Sequence, residues 1–274
     1  LLISQHKFHF LEQLVGGMSI LVSAANVLKC FSPDRHEVTV TEAAALLSLP
    51  KSNVSRLLRS MREVGLLETV GNSKRYRPGL LLVEAAQIAR RSSTLRSRAD
   101  AVVSEITAEF GHTTYVSARL GREVLALTDH TGTNVLRVAS AVGVRLQAFA
   151  CATGRTLLAR LDDAAVRSLY PGPLDAPSKN APQTVDDLLV RLDGVRRDGY
   201  AEADDEANRG VGGIAVAVGD PETSEEVSLC VTFPVATIEA SERTAMRERL
   251  QQGAREIAAI LGDPLFYPQG AMAR

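Results

Sequence analysis

The chain has 274 residues, 45% of them hydrophobic, and a formal net charge of -1. That length allows about two domains, and the apolar content supports packed cores and excludes a disordered chain. A near-neutral total excludes a uniformly basic nucleic-acid binder, so any affinity for nucleic acid has to come from a local patch.

Three widely spaced cysteines, Cys30, Cys151 and Cys230, form no CxxC pair and no ligand spacing. They argue against a disulfide framework or a zinc finger and fit a reduced, cytoplasmic setting. No metal and no cofactor is expected. No apolar run reaches the roughly 18 residues of a membrane-spanning helix. His6, Lys7, His9 and Glu12 interrupt any signal-peptide core near the start. Gly16-Gly17-Met18 reads as a seam, with Met18 as the natural start and an extension before it.

The first predicted helix covers Ser19 to Phe31, with Ile20, Ala24, Val27, Leu28 and Phe31 on one side, and Ser32-Pro33-Asp34 ends it. Thr39 to Gly65 then carries two helix patterns around a break at Ser48-Leu49-Pro50. The first starts near Thr41 and hides Ala44, Leu47 and Leu49; the second runs from Lys51 to Val64 and hides Val54, Leu57, Leu58, Met61 and Val64. The open face of the second carries Lys51, Ser52, Asn53, Ser55, Arg56 and Arg59. Two helices joined by a tight turn, the second polar and basic outside, is the pattern of a helix-turn-helix.

Leu66–Val70 and Lys74–Gly79 flank Gly71-Asn72-Ser73 and predict a β-hairpin, the wing of a winged helix. Lys74, Arg75 and Arg77 near its tip suit phosphates or an adjacent minor groove. From Lys51 to Arg77 the chain holds seven basic and two acidic residues, so this stretch carries +5 and the remainder -6. On the recognition helix Arg56 is placed to read guanine and Arg59 to clamp the backbone. Asn53 suits adenine, although Ser52 and Asn53 also suit a helix N-terminal cap.

Leu80–Arg91 predicts a helix bridging to the rest of the chain, and Ser92–Glu109 another. Thr113–Ala118, Glu123–Asp129 and Val135–Ala139 read as strands. Arg155–Leu161 and Ala164–Tyr170 look helical, and Pro171–Pro182 is a loop. Thr184 caps a helix that Gly199 ends. Val211–Gly219 and Glu226–Phe233 are strands, and Ser241–Leu261 is a final helix with Met246, Leu250, Ile257 and Leu261 inward. The expected class is α+β: a helical head followed by a mixed, mostly antiparallel sheet with helices on its faces. No GxSxG, HExxH, Walker or GxGxxG pattern appears, and His112 and His130 join no nucleophile, so no catalytic residues are expected.

Three ordered blocks resemble the IclR family of bacterial transcriptional regulators. They are Leu49-Pro50-Lys51-Ser52-Asn53-Val54-Ser55-Arg56-Leu57-Leu58 with the wing ending Tyr76-Arg77-Pro78-Gly79; Val142-Gly143-Val144-Arg145-Leu146 through Ala152-Thr153-Gly154-Arg155; and Arg197-Asp198-Gly199-Tyr200, Asp205-Glu206, Gly210-Val211 and Ile214-Ala215. The resemblance implies an N-terminal extension (1–18), a winged helix-turn-helix DNA-binding domain (19–79), a linker helix (80–93), a GAF-like effector-binding domain (94–262) and a C-terminal tail (263–274). It implies dimers or dimers of dimers on a partly palindromic double-stranded DNA operator, controlled by a small-molecule effector such as an organic acid or aromatic catabolite.

By the same resemblance the effector pocket is lined by Leu146, Ala152, Thr153 and Gly154 on one side and Asp205, Gly213, Ile214, Cys230 and Thr232 on the other. Gly154 is expected to let backbone approach the ligand, and the amides at that helix start to favour a carboxylate. The chain departs from the family at Gly213, where cysteine is frequent, at Gln147 and Ala217, where proline is, and at Arg155, where lysine is usual. The alternatives are a protein-binding module without specific DNA recognition, or a small-molecule enzyme that uses the Asp205-Glu206 carboxylates.

Overall fold

A computed structural model of the chain describes residues 20–32, 34–71, 73–138 and 145–264. The expected start at Met18, most of the C-terminal tail, Asn72 of the wing and Val142–Val144 of the second family block lie outside the described residues. The chain divides into two compact units, with the boundary between Ala89 and Arg90.

In the first unit α1 (Ile20–Leu28) buries Val27. Thr39 then starts α2 (Val40–Leu47) with a capping box: its hydroxyl accepts from the Glu42 amide at 3.2 Å, and the Glu42 carboxylate accepts from the Thr39 amide at 2.7 Å. These bonds, the amide of Thr39 first, hold the Glu42 carboxyl below its ordinary pKa. Ser48 ends the helix in the left-handed region at φ 52°. Pro50 opens α3 (Lys51–Glu63), which buries Val54, Leu58 and Met61 against Val27, Ala43, Ala44 and Leu67. Each such aliphatic side chain contributes roughly 1.5–3 kcal/mol when fully buried.

Val64, expected inside, is 61% exposed. It lies one residue past α3, where the chain turns through Gly65 at φ +80° and the helical spacing no longer applies. The wing forms as β2 (Leu67–Thr69) and β3 (Arg75–Pro78), antiparallel with Thr69 opposite Tyr76. A third strand that the sequence did not announce, β1 (Val38–Thr39), pairs with the other edge of β3. Two residues are too few to show a period of two.

Helix α4 (Leu80–Ser92) runs through the boundary between the units. In the second unit Ser93 caps α5 (Thr94–Phe110). The sheet follows as β4 (Thr113–Leu120), β5 (Glu123–His130), β6 (Arg145–Gln147), β7 (Ala201–Asp204), β8 (Val211–Asp220) and β9 (Glu225–Pro234), in the order β6-β5-β4-β9-β8-β7. Every pairing among the described residues is antiparallel. The edge strands β6 and β7 are three and four residues long and were not anticipated. The strand expected at Val135–Ala139 does not form over its described residues 135–138, and Val135 is 96% exposed.

Pleating divides the two long strands between two layers. Ile214, Val216 and Val218 of β8 with Leu229, Val231 and Phe233 of β9 pack under α5 and α9 (Ala240–Leu261). Gly213, Ala215, Cys230 and Thr232 face the opposite way, toward α6 (Ala152–Leu158) and a cavity. Beyond α6 come α7 (Asp163–Leu169) and α8 (Val185–Asp198), the latter capped by Thr184 and closed by Gly199 at φ +76°. At the β8–β9 turn, Glu225 accepts from the Ser93 hydroxyl and pairs with Arg96 at 2.8 Å, which fixes the first turn of α5 to the hairpin.

Candidate functional site

Two surfaces carry the chemistry, one in each unit. On α3, Lys51, Ser52, Asn53, Arg56 and Arg59 are exposed and Ser55 is half-buried. Pro50 supplies no side-chain cap, and its carbonyl accepts from the Asn53 and Val54 amides. Ser52 and Asn53 are therefore the second and third residues of the helix and do not cap it. Asn53 instead accepts a hydrogen bond from Arg56 Nη2 at 3.3 Å.

The wing is less cationic than its composition. Arg75 pairs with Glu37 at 2.9 Å and approaches Glu42 at 3.6 Å, and Arg77 pairs with Glu68 at 2.5 Å. Lys74 is exposed and has no ion-pair partner among the described residues, and the same holds for Lys51, Arg56 and Arg59. With Arg62, which is likewise exposed near the end of α3, those side chains are the cations of α3 and the wing that carry no ion pair among the described residues.

In the second unit a cavity of about 180 Å³ opens between the sheet face and α6. Val124, Ala126, Leu146, Ala150 and Val211 give it apolar walls. Hydroxyls come from Ser117, Thr153, Thr232 and Tyr115. Burial pushes the Tyr115 phenol up to about 12, against the opposing hydrogen bond with Thr232, so it stays protonated. Thr232 also donates to the Thr113 carbonyl at 3.1 Å.

Of the nine residues expected in the pocket, Leu146, Ala152, Thr153, Gly213, Cys230 and Thr232 line this cavity. Gly154, Asp205 and Ile214 do not. Ile214 points through the sheet into the α5–α9 core, the inevitable consequence of strand alternation beside Gly213. Asp205, at φ 56°, accepts from the Gly210 amide and shapes its own loop. At Gly154 a Cβ would overlap the Ala148 carbonyl, so the glycine serves the close packing of α6 on the preceding 3-10 turn, Ala148–Ala150. The Gly154 amide donates to Cys151 Sγ at 3.4 Å, which removes it from the set of free amides expected there.

Glu206 lines the cavity, but its carboxylate is held by Arg155, with one contact at 3.0 Å, and by Arg191 at 3.2 Å. Asp205 and Glu206 thus turn to different partners and do not act as a pair. Tyr115, Ser117 and Cys151 also line the cavity and were not anticipated. The alternation along β4, with Tyr115 and Ser117 on one face and Thr114 and Val116 on the other, was the available signal. Among the described residues no cluster of three His, Cys, Asp or Glu side chains offers a metal site. No helix among them is long and apolar enough to cross a membrane.

Two family models match this chain: the bacterial transcriptional regulator IclR C-terminal domain over residues 87–259, and the IclR helix-turn-helix domain over residues 21–71. The chain belongs to the IclR family. As an IclR-family regulator it carries its helix-turn-helix at α2 and α3 and its C-terminal domain in the sheet unit.

This IclR-family chain is 27% identical over 248 residues to the HTH-type transcriptional regulator XynR of Escherichia coli (strain K12), covering 88% of this chain and 96% of that protein. It is likewise 27% identical over 246 residues to KdgR of the same organism, covering 88% and 94%. Among solved structures, an IclR transcriptional regulator from Silicibacter sp. TM1040 superposes with a TM-score of 0.81 at 22% identity, over 91% of this chain and all of that one, 100%. An IclR homologue from Microbacterium hydrocarbonoxydans, solved in complex with 4-hydroxybenzoate, gives a TM-score of 0.75 at 25% identity over 89% and 99% of the two chains. The likeness extends through the helix-turn-helix itself, so the reading as a protein-binding module without DNA recognition is not favoured.

Proposed function

We propose that this IclR-family protein is a cytoplasmic, dimeric regulator whose hold on a partly palindromic operator is set by a small organic molecule in the cavity. The observation that carries this reading is the cavity itself, apolar on its walls and ringed with hydroxyls. Its volume of about 180 Å³ compares with the roughly 150 Å³ engineered cavity that accepts a benzene ring. A small aromatic or aliphatic acid with a further hydroxyl suits it, and the 4-hydroxybenzoate held by the Microbacterium hydrocarbonoxydans homologue is of that class.

On the DNA side, Lys51, Ser52, Asn53, Ser55, Arg56 and Arg59 form the groove-entering face and Lys74 the phosphate contact of the wing. Arg75 and Arg77 act mainly by holding the wing in shape. Support for a dimer comes from α4, where Leu80, Val83 and Ile88 are exposed apolar side chains. Effector binding shifts the population of second-unit states, and α4 alters the spacing of the two DNA-binding heads.

The test is calorimetric titration of full-length protein with 4-hydroxybenzoate and with small aliphatic hydroxy acids, in the presence and absence of an operator fragment. The expected result is saturable binding that changes operator affinity, and loss of both effects in Gly213→Leu, which fills the cavity. Binding unaffected by that substitution would place the effector elsewhere.

A further inference from the structure

We propose that Asn53 is not an independent base reader but a positioning residue that holds Arg56 for contact with guanine. The inference deepens the operator-binding reading and rests on it. Arginine carries only donors, so the atom of Asn53 that faces Arg56 Nη2 at 3.3 Å is its carbonyl oxygen, whichever way the amide is turned. Both side chains are exposed, so no burial forces them together.

The setting on α3 is selective. Within one helical turn of Arg56 stand Ser52, Asn53, Arg59 and Ser60, and none is acidic. Arg75 and Arg77 of the wing have their charges answered by glutamates. Asn53 instead supplies a neutral acceptor, which orients the guanidinium and leaves its full charge for the ligand. Asn53 is also the third residue of the helix. Tethering Arg56 to it draws the guanidinium toward the N-terminal end of α3, the end from which a recognition helix reaches base edges. The donors not used by Asn53 then match the two acceptors, O6 and N7, on the major-groove edge of guanine.

The experiment is selection of sites from a random duplex pool by the full-length protein and by Asn53→Ala, Asn53→Asp and Arg56→Ala, with circular dichroism to show that each folds. The wild type should enrich a guanine in each half-site. Arg56→Ala should lose that guanine, and Asn53→Ala should lose it too, by about fivefold or more, with the rest of the site kept. Asn53→Asp keeps the acceptor and removes the amide donor. It should restore the guanine preference while lowering affinity for all sequences alike. If Asn53→Ala leaves the guanine intact and relaxes an adenine at another position, Asn53 reads that base itself and the proposal is overturned. A pool with no enriched sequence would overturn both the operator-binding reading and the role of this pair.

Discussion

Arg155 and Glu206, 51 positions apart in sequence, meet as a two-pronged ion pair that is 2% and 6% exposed. Arg155 also donates to the Phe149 and Glu202 carbonyls, so one guanidinium joins the 3-10 turn, α6, β7 and the loop after it. Four acceptor atoms in a fork suit arginine, whereas a lysine offers a single ammonium. That is the physical content of this chain's departure from the family's usual lysine.

Replacing Arg155 by Met leaves Glu206 buried with only the part-exposed Arg191 for company. The expected loss is about 3 kcal/mol, the lower end of the range for breaking one side of a buried pair. Urea unfolding followed by circular dichroism measures it. Arg155→Lys should fall between Met and wild type, and Arg155→Met combined with Glu206→Leu should recover much of the loss. A Met variant as stable as wild type would show that the pair contributes nothing.

The wing separates free from engaged cations. Lys74→Ala should lower affinity for all DNA sequences and reduce the slope of log K against log salt by about 1, the signature of one lost phosphate contact. Arg77→Ala should change that slope less, because its charge is already answered by Glu68. Equal slopes for the two variants in a salt-series titration would mean that the Arg77–Glu68 pair opens on DNA.

All three thiols are buried and free. Burial raises each above its ordinary pKa, Cys151 to about 11 and Cys230 to about 12, and Cys30 in the same direction. Burial disfavours the charged thiolate, so at pH 8 the reactive form is scarce in the folded protein and becomes common only on unfolding. Labelling with an aromatic disulfide reagent at pH 8 should be slow and should accelerate through the urea transition. One rapid equivalent in native buffer would contradict this.

Gly154→Ala tests the packing of α6. Its Cβ would overlap backbone of Ala148, not a flexible side chain, so relaxation has to move the 3-10 turn. A cost of about 1–3 kcal/mol is expected, together with weakened effector binding, since Ala150, Cys151 and Ala152 line the cavity. Thermal melts with and without a bound small molecule separate the two effects.

Much of the fold was legible from periodicity. The α3 pattern at Val54, Leu58 and Met61, the caps at Thr184 and Gly199 and the long strands β8 and β9 repeat their signal over enough residues to register. Short edges such as β1 and β6 leave too few residues for a period, and they form because a neighbouring strand offers unpaired amides and carbonyls. Residues 135–138 form no strand, and three of the four are exposed. Placement of the candidate pocket residues followed the same logic. Of the pocket residues implied by the family resemblance, Cys230 and Thr232 on β9 share the cavity face of the pleat, whereas Ile214 falls on the opposite face beside Gly213 and Asp205 turns into its own loop. The pairing of Arg75 and Arg77 with glutamates, one of them 38 positions away, depends on folded distance and left no trace in composition.

Strands β8 and β9 are the wall of the cavity on one side and the floor of the main core on the other. Cys230 and Thr232 face the cavity, and Leu229, Val231 and Phe233 between and beside them face α5 and α9. The two strands behave as a diaphragm. A molecule pressing on one surface displaces atoms that are close-packed on the other, and such packing transmits strain with little give. The rim of this diaphragm, at Glu225, holds Ser93 and Arg96 directly after α4 ends. A molecule filling that cavity would therefore bear on the same two strands whose connecting turn anchors the first turn of α5, directly after α4.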